Sequence, residues 1–427
     1  MADKEKDKEK QTRKRKNNTA KKEKVEVEIN NEKEKNKKYT FGLFEVILIM
    51  IVTTLFGLFV GSFVAYKKYN NKKVSCKEVR EDTKDLVSAY ENIVNEYYGD
   101  FDKEKLIDFG ISGMVDSLND NYALFVDKDY ANSLNEELDG SFVGLGVEVR
   151  NGEDGYIIVS GVMENSPAYR YGIELNDRIV SVDGINLIGE DISVLVDNVK
   201  YSPVGTKKKI EILRNDELLA FDVVLDVVDL KSVNGYFVER DGKRIGIITL
   251  TNFASNTYNQ FVAAYNELKN ENIDSLVIDV RNNGGGYLSS ANLISSMFLN
   301  KGDIIYKKTN GKNIDDIVCE TDKEIDIPVV LLVNGLTASS SEVFVSSLKE
   351  NTDVLVVGTN TYGKGMIQKL FELSNGKYIK FSVQEWLTAS GNKIEGVGII
   401  PDVYILPDDQ SEYDVQLEKA VEVAKEK

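Results

Sequence analysis

The spacing of hydrophobic residues changes several times along this chain, and each pattern predicts a different structure. The segment Phe41–Tyr66 is almost wholly apolar, and Val46–Tyr66 contains 21 residues without a charge. A helix of that length can cross a hydrocarbon layer of about 30 Å. Lysines follow it instead of a small-residue cleavage site, so the pattern predicts a single, uncleaved transmembrane helix over residues 41–66.

Residues 67–138 are predicted to form a linker and a helical N-terminal region. Helix breakers are few there, and the segment Met114–Phe125 ends in a polar turn that leads out of the region. The apolar residues that recur at helical spacing are Leu86, Tyr90, Ile93, Val94 and Tyr97.

Residues 139–228 alternate short strand-like runs with glycine-containing turns. The run Arg178–Val182 ends at Asp183-Gly184, which is a strong signal for a tight turn between strands. A helical pattern follows over Ile192–Val199, and strand patterns then return up to Leu225. This order predicts a small β-rich domain with one principal helix.

Residues 229–410 alternate apolar strands with helices. Leu276–Val280 and Val329–Val333 are continuous apolar runs, which are typical of strands covered on both faces. The stretch from Phe261 to Leu268 has apolar residues on one helical face. This alternation predicts an α/β core with a largely parallel sheet, within an α/β (α+β) multidomain chain that ends in a helix over residues 411–427.

Charge is unevenly distributed along the chain. Residues 1–40 hold 15 Lys/Arg and 9 Asp/Glu, which leaves 38 basic and 61 acidic residues in the remainder. The basic tail has little apolar content and is predicted to be disordered. The acidic body argues against nucleic acid as a partner, since phosphate binding needs clustered cations. Basic residues before the anchor favour a cytoplasmic N-terminus at the cell membrane, with residues 67–427 outside the cytoplasm.

The chain contains no histidine among its 427 residues. This absence excludes Ser-His-Asp and Cys-His catalysis and removes the commonest transition-metal ligand. A hydrolase with a covalent nucleophile would therefore need a lysine or a carboxylate as its base. The two cysteines, Cys76 and Cys319, have no metal-site or redox spacing, and two unpaired thiols are favoured over a disulfide. No metal or organic cofactor is expected.

Small hydroxyl residues lie between a buried strand and a predicted helix in the segment Gly335–Glu342. Free N–H groups at such a helix start can stabilise an oxyanion, so the hydroxyl residues of this turn are candidate nucleophiles. By itself, the sequence T-A-S-S-S-E is more often an ordinary helix cap. A second motif places Lys364 between two glycines, where burial would lower its pKa and make it a base. Exposed GKG loops are common, so this second motif is weak by itself.

A glycine-rich turn, Arg281–Gly286, follows the buried strand that ends at Val280. Glycines at the carboxyl end of a central strand allow backbone amides to face a ligand. The turn lacks the spacing of the two common nucleotide-phosphate motifs, so it does not predict a nucleotide site.

Together these three motifs resemble those of the carboxy-terminal processing peptidases, also called tail-specific proteases. The family's S-A-S-A-S-E is matched by Thr337–Glu342, its F-G-K-G-x-x-Q by Tyr362–Gln368, and its D-L-R-x-N-x-G-G by Asp279–Gly286. Serine replaces the family's alanine at Ser340, which leaves three consecutive serines. The nucleophile is therefore assigned by spacing and register.

The resemblance implies a role for each matched residue. Ser339 would be the nucleophile, Lys364 the general base, and Gln368 the residue that orients the lysine amine. The backbone N–H groups of Gly285 and Ser340 would form the oxyanion hole. The resemblance also implies a ClpP/crotonase-like peptidase core, and it is compatible with a homodimer.

The predicted β-rich domain resembles a bacterial PDZ domain. Its GLGF-like loop is Gly144-Leu145-Gly146-Val147, and the S-P-A…N-D…V-D-G pattern runs from Ser166 to Gly184. Backbone N–H groups in such a loop bind a terminal carboxylate, while the peptide adds a strand to the sheet edge. The alternative is that these glycines only make turns. The PDZ resemblance implies that the partners are unstructured C-terminal tails of proteins.

The predicted function is a membrane-anchored serine endopeptidase that cleaves near the C-termini of extracytoplasmic or membrane proteins. The first alternative is a catalytically silent, membrane-tethered PDZ scaffold, although a scaffold has no need for Ser339, Lys364 and Gln368 together. The second alternative is a crotonase-like enzyme of acyl thioesters. The anchor, the PDZ pattern and the Ser–Lys pair disfavour it.

Overall fold

The computed structural model describes residues 76–200 and 202–427, and also Lys22. The chain divides into two compact units, residues 1–101 and 102–427. Apart from Lys22, the predicted tail and transmembrane helix lie outside the described residues. Among the helices that are described, none has the length and apolarity needed to span a membrane.

In the first unit, the described residues form two consecutive helices, α1 (Cys76–Asp82) and α2 (Lys84–Glu96). They are separated only by Thr83, whose hydroxyl donates to the carbonyl of Val79 at 2.7 Å. Both helices lie where the apolar spacing predicts helical structure.

The second unit begins with two helices and a short strand between them. These elements are α3 (Lys103–Asp116), β1 (Leu124–Val126) and α4 (Lys128–Asp139). Asp102 caps α3 and Asp127 caps α4, each accepting backbone N–H groups of the first turn. Strand β1 begins at the end of the segment Met114–Phe125, which is predicted to lead out of the helical region, and it pairs antiparallel with residues 378–380. Local apolar spacing carries no information about a partner so distant in sequence.

The next region contains the predicted β-rich domain. Its elements are β2 (Ser141–Gly144), β3 (Val147–Asn151), β4 (Ile157–Val162), α5 (Pro167–Tyr171), β5 (Arg178–Val182), β6 (Ile185–Asn186), α6 (Ile192–Val199), β7 (Lys207–Arg214), β8 (Glu217–Val224) and β9 (Asp226–Asp229). The six-stranded sheet has the order β3-β4-β5-β7-β8, with β6 paired to β5. Asp183 and Gly184 have φ of 49° and 83°, as a tight hairpin turn requires. Strands β2 and β9 pair with each other outside this sheet.

The remaining residues build an α/β core. Its elements are β10 (Val233–Arg240), β11 (Lys243–Leu250), α7 (Thr257–Asn270), β12 (Ser275–Asp279), α8 (Leu288–Ser296), β13 (Ile304–Thr309), β14 (Ile314–Val318), β15 (Val329–Val333), α9 (Ser340–Asn351), β16 (Leu355–Gly358), β17 (Met366–Glu372), β18 (Tyr378–Leu387), β19 (Val403–Tyr404) and α10 (Val415–Glu426). The central sheet has the order β10-β11-β12-β15-β16-β19, and every pair except β10–β11 is parallel.

Both faces of the central sheet are covered. Ile278 and Leu331 pack into the same apolar cluster as Phe344 of α9, together with residues of α7 and α8. Their neighbours Val277 and Val330 pack into a second cluster that contains α10. Successive side chains of a strand point to opposite faces, so a strand covered on both faces must be apolar throughout. This explains the continuous apolar runs in the sequence.

A second sheet has the order β1-β18-β13-β14, and β17 pairs with β18. Residues of β17 and β18 form one wall of the cavity described below.

Arg281 ties the end of β12 to the C-terminal helix. Its guanidinium donates to Asp279 at 2.7 Å and to Asp414, the N-cap of α10, at 2.7 Å. Only 16% of the Arg281 side chain and 9% of the Asp279 side chain are exposed, so solvent screens that pair little, whereas Asp414 is 41% exposed. The pairs therefore fix the strand end from which the glycine-rich turn departs.

Candidate active site

Three loops meet at one edge of the central sheet. They follow the adjacent parallel strands β12, β15 and β16, whose carboxyl ends lie side by side. The loops are joined by hydrogen bonds from Ala338 N–H to the carbonyl of Asn283 and from Tyr362 N–H to the carbonyl of Thr337, both at 3.0 Å. The three motifs singled out in the sequence are therefore brought together, as ligand sites of parallel sheets usually are.

The three consecutive serines have different environments. The hydroxyl of Ser340 donates to the carbonyl of Gly286 at 2.7 Å, and that of Ser341 donates to the carbonyl of Asn283 at 3.0 Å. Both side chains are fully buried. Ser339, in contrast, is half-buried and lines a cavity of about 650 Å³. Among the three, only Ser339 can present its hydroxyl to a substrate without losing a bond that holds the loops together.

Ser339 is held in a strained backbone conformation. It precedes α9 with φ of 58° and ψ of −120°, a region that non-glycine residues rarely occupy. Such a conformation costs about 1–3 kcal/mol and persists only where the surroundings enforce it. A sharp turn of this kind between a strand and a helix exposes a nucleophile at the helix N-terminus.

Four of the five residues predicted for catalysis and the oxyanion hole line this cavity. Ser339, Lys364, Gln368 and Gly285 all line it. The other lining residues are Leu134, Glu137, Leu138, Thr251, Asn252, Asn282, Gly284, Gly286, Tyr287, Leu288, Ser289, Met366, Ile367, Leu370, Lys380 and Trp386.

Lys364 lies in this cavity with much of its side chain removed from solvent. Burial lowers the pKa of its ammonium, and the positive charge of Lys380 lowers it further, while Glu395 and Glu342 oppose the shift. The Lys364 ammonium also lies over the ring of Tyr122, 5.1 Å from its centroid. The lowered pKa favours the neutral amine, which is the form a general base requires.

Glu342 connects the serine and the lysine. Its carboxylate accepts the N–H of Ser339 at 2.9 Å and the N–H of Lys364 at 2.8 Å on one oxygen. The other oxygen accepts the N–H of Gly363 at 2.7 Å and the hydroxyl of Thr361 at 2.6 Å. The side chain is fully buried, and burial raises the pKa of its carboxyl while these hydrogen bonds oppose that shift. The carboxylate thus holds the two loops in a fixed relation.

Tyr122 and Glu395 also support the lysine loop. The Tyr122 hydroxyl donates to Glu395 at 3.1 Å, and the other oxygen of Glu395 accepts the N–H of Gly365 at 2.7 Å. Neither residue belongs to the three motifs that predict the site, although Tyr122 lies in the polar turn at the end of the helical region.

The predicted oxyanion hole is incomplete in this structure. Gly285 lies against the serine loop, because a Cβ built there would be 2.9 Å from the Cβ of Ser339. Its N–H, however, donates to the side-chain oxygen of Asn283 at 2.9 Å. The N–H of Ser340 has no hydrogen-bond acceptor within the described residues. One of the two predicted donors is therefore engaged elsewhere.

Gln368 lines the cavity, but its side-chain hydrogen bond goes to the backbone of its own strand. Its side-chain nitrogen donates to the carbonyl of Met366 at 2.6 Å. In the part of the chain that the structure describes, no hydrogen bond joins Gln368 with Lys364. The predicted orienting contact is thus absent from this conformation, although the residue lies where the prediction requires it.

A separate groove of about 260 Å³ lies in the β-rich domain. Gly144, Leu145, Gly146 and Val147 line one side of it, and Leu195, Val196 and Val199 of α6 line the other. Glycine is required at Gly146, where φ is 76° and a Cβ would approach the Cβ of Ser166 to 2.2 Å. Gly144 is the last residue of β2, so the predicted loop begins on the β2–β9 ribbon.

Sequence comparison identifies the class of protein to which these sites belong. The profile of peptidase family S41 matches residues 244–405, which contain Ser339 and Lys364. Carboxy-terminal processing protease CtpB of Bacillus subtilis (strain 168) is 35% identical over 79% of this chain and 71% of that protein. The chain belongs to peptidase family S41.

Other relatives also support the assignment of the chain to family S41. Carboxy-terminal processing protease CtpA of Bacillus subtilis (strain 168) is 33% identical over 76% of this chain and 69% of that protein. A probable CtpA-like serine protease of Staphylococcus aureus (strain N315) is 33% identical over 84% of this chain and 72% of that protein. A PDZ profile matches residues 158–214, and a profile of the N-terminal domain of activating protease CtpB matches residues 57–130.

As a member of family S41, the protein is a serine peptidase with a mixed α/β fold and a PDZ domain. Within the described residues, no group of three or more Cys, Asp or Glu side chains is placed to hold a metal ion. Cys319 is a buried free thiol.

Replacing Glu342 with glutamine should lower kcat for peptide cleavage about a hundredfold, with little change in KM. Glutamine keeps one acceptor oxygen but turns an N–H₂ group towards backbone N–H donors, so the serine and lysine loops shift apart. Misplacement of about 1 Å can cost a hundredfold in rate. Steady-state kinetics with a tail peptide would measure both constants.

The matched control is Glu350→Gln on the same helix, because that carboxylate is exposed and accepts one N–H, from Ser390. Equal kcat in Glu342→Gln and Glu350→Gln would contradict the bridging role. Thermal unfolding of both variants would show whether a loss of rate is only a loss of fold.

Proposed function

We propose that this S41 peptidase is a membrane-anchored endopeptidase that cleaves near the C-termini of extracytoplasmic or membrane proteins. Ser339 is the nucleophile, Lys364 is its general base, and the PDZ groove captures the substrate tail. The observation that carries the proposal is the shared cavity of Ser339 and Lys364, whose backbone N–H groups bind the same Glu342 carboxylate.

In the proposed mechanism, the neutral amine of Lys364 takes the hydroxyl proton of Ser339 as Oγ attacks the scissile carbonyl. The resulting ammonium then gives that proton to the leaving amine, and water hydrolyses the acyl-enzyme with Lys364 again as base. The N–H of Ser340, at the positive end of α9, is oriented to stabilise the oxyanion.

Two changes would complete the oxyanion hole and the support of the lysine amine. The Gly285 N–H has to leave Asn283 to become the second oxyanion donor, and Gln368 has to leave the carbonyl of Met366 to hold the lysine amine. Each change breaks one hydrogen bond, of 2.9 Å in the glycine-rich turn or of 2.6 Å on β17, and both segments line the substrate cavity. The described conformation therefore corresponds, in this proposal, to a resting enzyme on a ClpP/crotonase-like core.

Helix α4 supports a connection between tail capture and catalysis. Glu136 lines the PDZ groove, and its carboxylate lies 3.6 Å from the Lys200 ammonium at the end of α6. Leu134, Glu137 and Leu138 of the same helix line the catalytic cavity. A tail that enters the groove and displaces α4 would change the shape of the cavity, so the PDZ domain would act as a gate.

The membrane part of the proposal rests on the sequence. Phe41–Tyr66 has the length and apolarity of a spanning helix, and the more basic flank precedes it. The enzyme would thus be a single-pass protein with a cytoplasmic N-terminus. Homodimerisation remains a prediction from the family resemblance.

The free-energy cost of the site argues against a catalytically silent PDZ scaffold. A scaffold would have no reason to keep Ser339 at a strained φ of 58° or Lys364 in a desolvated position.

Replacing Ser339 with alanine should abolish peptidase activity, whereas Ser341→Ala should keep a large part of it. The reason is that the Ser341 hydroxyl is committed to the carbonyl of Asn283, while Ser339 lines the cavity. Cleavage of a tail peptide by the purified full chain would be measured for both variants. If Ser339→Ala cleaved the peptide as fast as wild type, the assignment of Ser339 as nucleophile would be wrong.

The pH–rate profile should rise through a single ionisation that lies below the usual lysine pKa of about 10.4. A general base must be deprotonated, and burial lowers the pKa of Lys364, so activity appears as pH rises through that lowered pKa. With no histidine in the chain, no second ionisation near neutrality is expected on this limb. Lys364→Arg should be inactive because guanidinium stays protonated. Near wild-type turnover of Lys364→Arg would require another base.

Amidating the C-terminus of a substrate peptide should weaken its binding about tenfold, through loss of a charge-assisted hydrogen bond in the PDZ groove. Binding would be measured on full-length Ser339→Ala, which cannot turn the peptide over. Val196→Asp should reduce this difference, because Val196 lines the groove and an added carboxylate repels the tail. Leu218→Asp is the control, since this exposed residue lies on β8 outside the groove. Equal binding of acid and amide peptides to the parent enzyme would leave the glycine loop as a turn only.

Protease added to intact spheroplasts should digest the catalytic body and spare an epitope tag on the N-terminal tail. This follows from the charge bias across the apolar segment. Protection of the body together with loss of the tag would reverse the proposed orientation.

A further inference from the structure

Lys380 is a second lysine in the catalytic cavity that the proposed mechanism does not use. It lies on β18 opposite Leu370 of β17, and Ser382 lies opposite Gln368. Residues directly opposite on paired strands share a face, and diagonal neighbours lie about 7–8 Å apart. Lys380 is therefore a near neighbour of Gln368 on the wall that faces Ser339 and Lys364.

The ammonium of Lys380 has no acidic partner at ion-pair distance within the described residues. Asp120 is the acid whose charge acts on it. That carboxylate is already bound by the N–H of Ser382 at 2.7 Å, the hydroxyl of Ser382 at 3.1 Å and the N–H of Tyr122 at 3.0 Å. Lys380 is also half-buried, and this burial lowers the pKa of its ammonium. A partly buried cation without a partner is costly unless a ligand supplies one.

Apolar residues line the cavity wall around Lys380 and Gln368. Leu370 lies beside Lys380, and Leu134, Ile367 and Trp386 line the same cavity. An extended peptide that is bound there would place apolar side chains against these residues and one charged group near the lysine. The chain carries a net charge of −17, so a local cation is needed if an acidic segment is to enter.

We propose that Lys380 is a specificity-determining residue that binds a carboxylate of the peptide substrate close to the scissile bond. The inference rests on the proposed function, since it assumes that peptides are cleaved in this cavity. The substrate class is an extended peptide with an apolar segment and a carboxylate, which comes either from an Asp or Glu side chain or from the free C-terminus. Leu370, which lies opposite Lys380, is two residues from Gln368 on β17. An extended substrate also rises about 3.3 Å per residue, so a carboxylate bound at Lys380 lies within a few residues of the cleaved bond.

The test uses the full chain and a tail peptide whose cleavage site has been mapped. Peptide variants carry Glu or Gln at each position that flanks the scissile bond, and each is made with a free-acid or an amidated C-terminus. The quantity measured is the ratio of kcat/KM for the charged peptide to that for its neutral partner. Each ratio compares two peptides on the same enzyme at the same pH, so the rise in the pKa of Lys364 on removing the Lys380 charge cancels. The pH is kept below the lowered pKa of Lys380, where its ammonium is charged.

At one flanking position, wild type should prefer the charged peptide about tenfold, and Lys380→Gln should reduce the ratio to about one. Lys380→Glu should invert the preference. Lys369→Gln is the matched control: this exposed lysine lies on β17 between Gln368 and Leu370 and points to the opposite face, over the ring of Phe371. Its ratio should equal that of wild type. A change confined to free-acid against amide peptides would assign the carboxylate to the C-terminus.

Two outcomes would overturn the inference separately. If wild type cleaves the peptides but Lys380→Gln leaves every ratio unchanged, the specificity role is wrong and the proposed function stands. If wild type cleaves no peptide and behaves like Ser339→Ala, the proposed function fails and the inference fails with it. Unfolding midpoints of all three lysine variants within experimental error of wild type would show that the ratios report specificity.

Discussion

The buried carboxylate of Glu342 is the interaction on which the site depends. It accepts four hydrogen bonds, from both the serine loop and the lysine loop. A carboxylate this deeply buried is unfavourable unless donors surround it, and here the donors come from two separate chain segments. The same contacts that satisfy Glu342 therefore set the distance between the proposed nucleophile and the proposed base.

The central sheet makes this arrangement possible. Because β12, β15 and β16 are adjacent and parallel, their three following loops leave from the same edge. Arg281 fixes the first of these loops to α10, and the hydroxyls of Ser340 and Ser341 fix it to the start of α9. The hydroxyl groups next to the proposed nucleophile thus form structural hydrogen bonds. This explains why the two neighbouring serines do not compete with Ser339 as nucleophiles.

Much of this could be predicted from the sequence, because motif register and apolar runs are local. Buried strands, the helix after Ser339 and the gathering of three loops all follow from them. The sequence could not distinguish three adjacent serines, since their difference depends on carbonyls of Asn283 and Gly286 in another loop. The positions of Tyr122 and Lys380 at the site could not be predicted either, because they depend on strand pairings that link distant parts of the chain.

The positive φ of Ser339 has a consequence for how such an enzyme is maintained over time. Glycine adopts this conformation freely, whereas for serine the conformation costs about 1–3 kcal/mol. Folding stability therefore does not favour the residue that the proposed chemistry needs. Natural selection on cleavage itself has to preserve it, and a lineage released from that selection can lose activity while its fold persists.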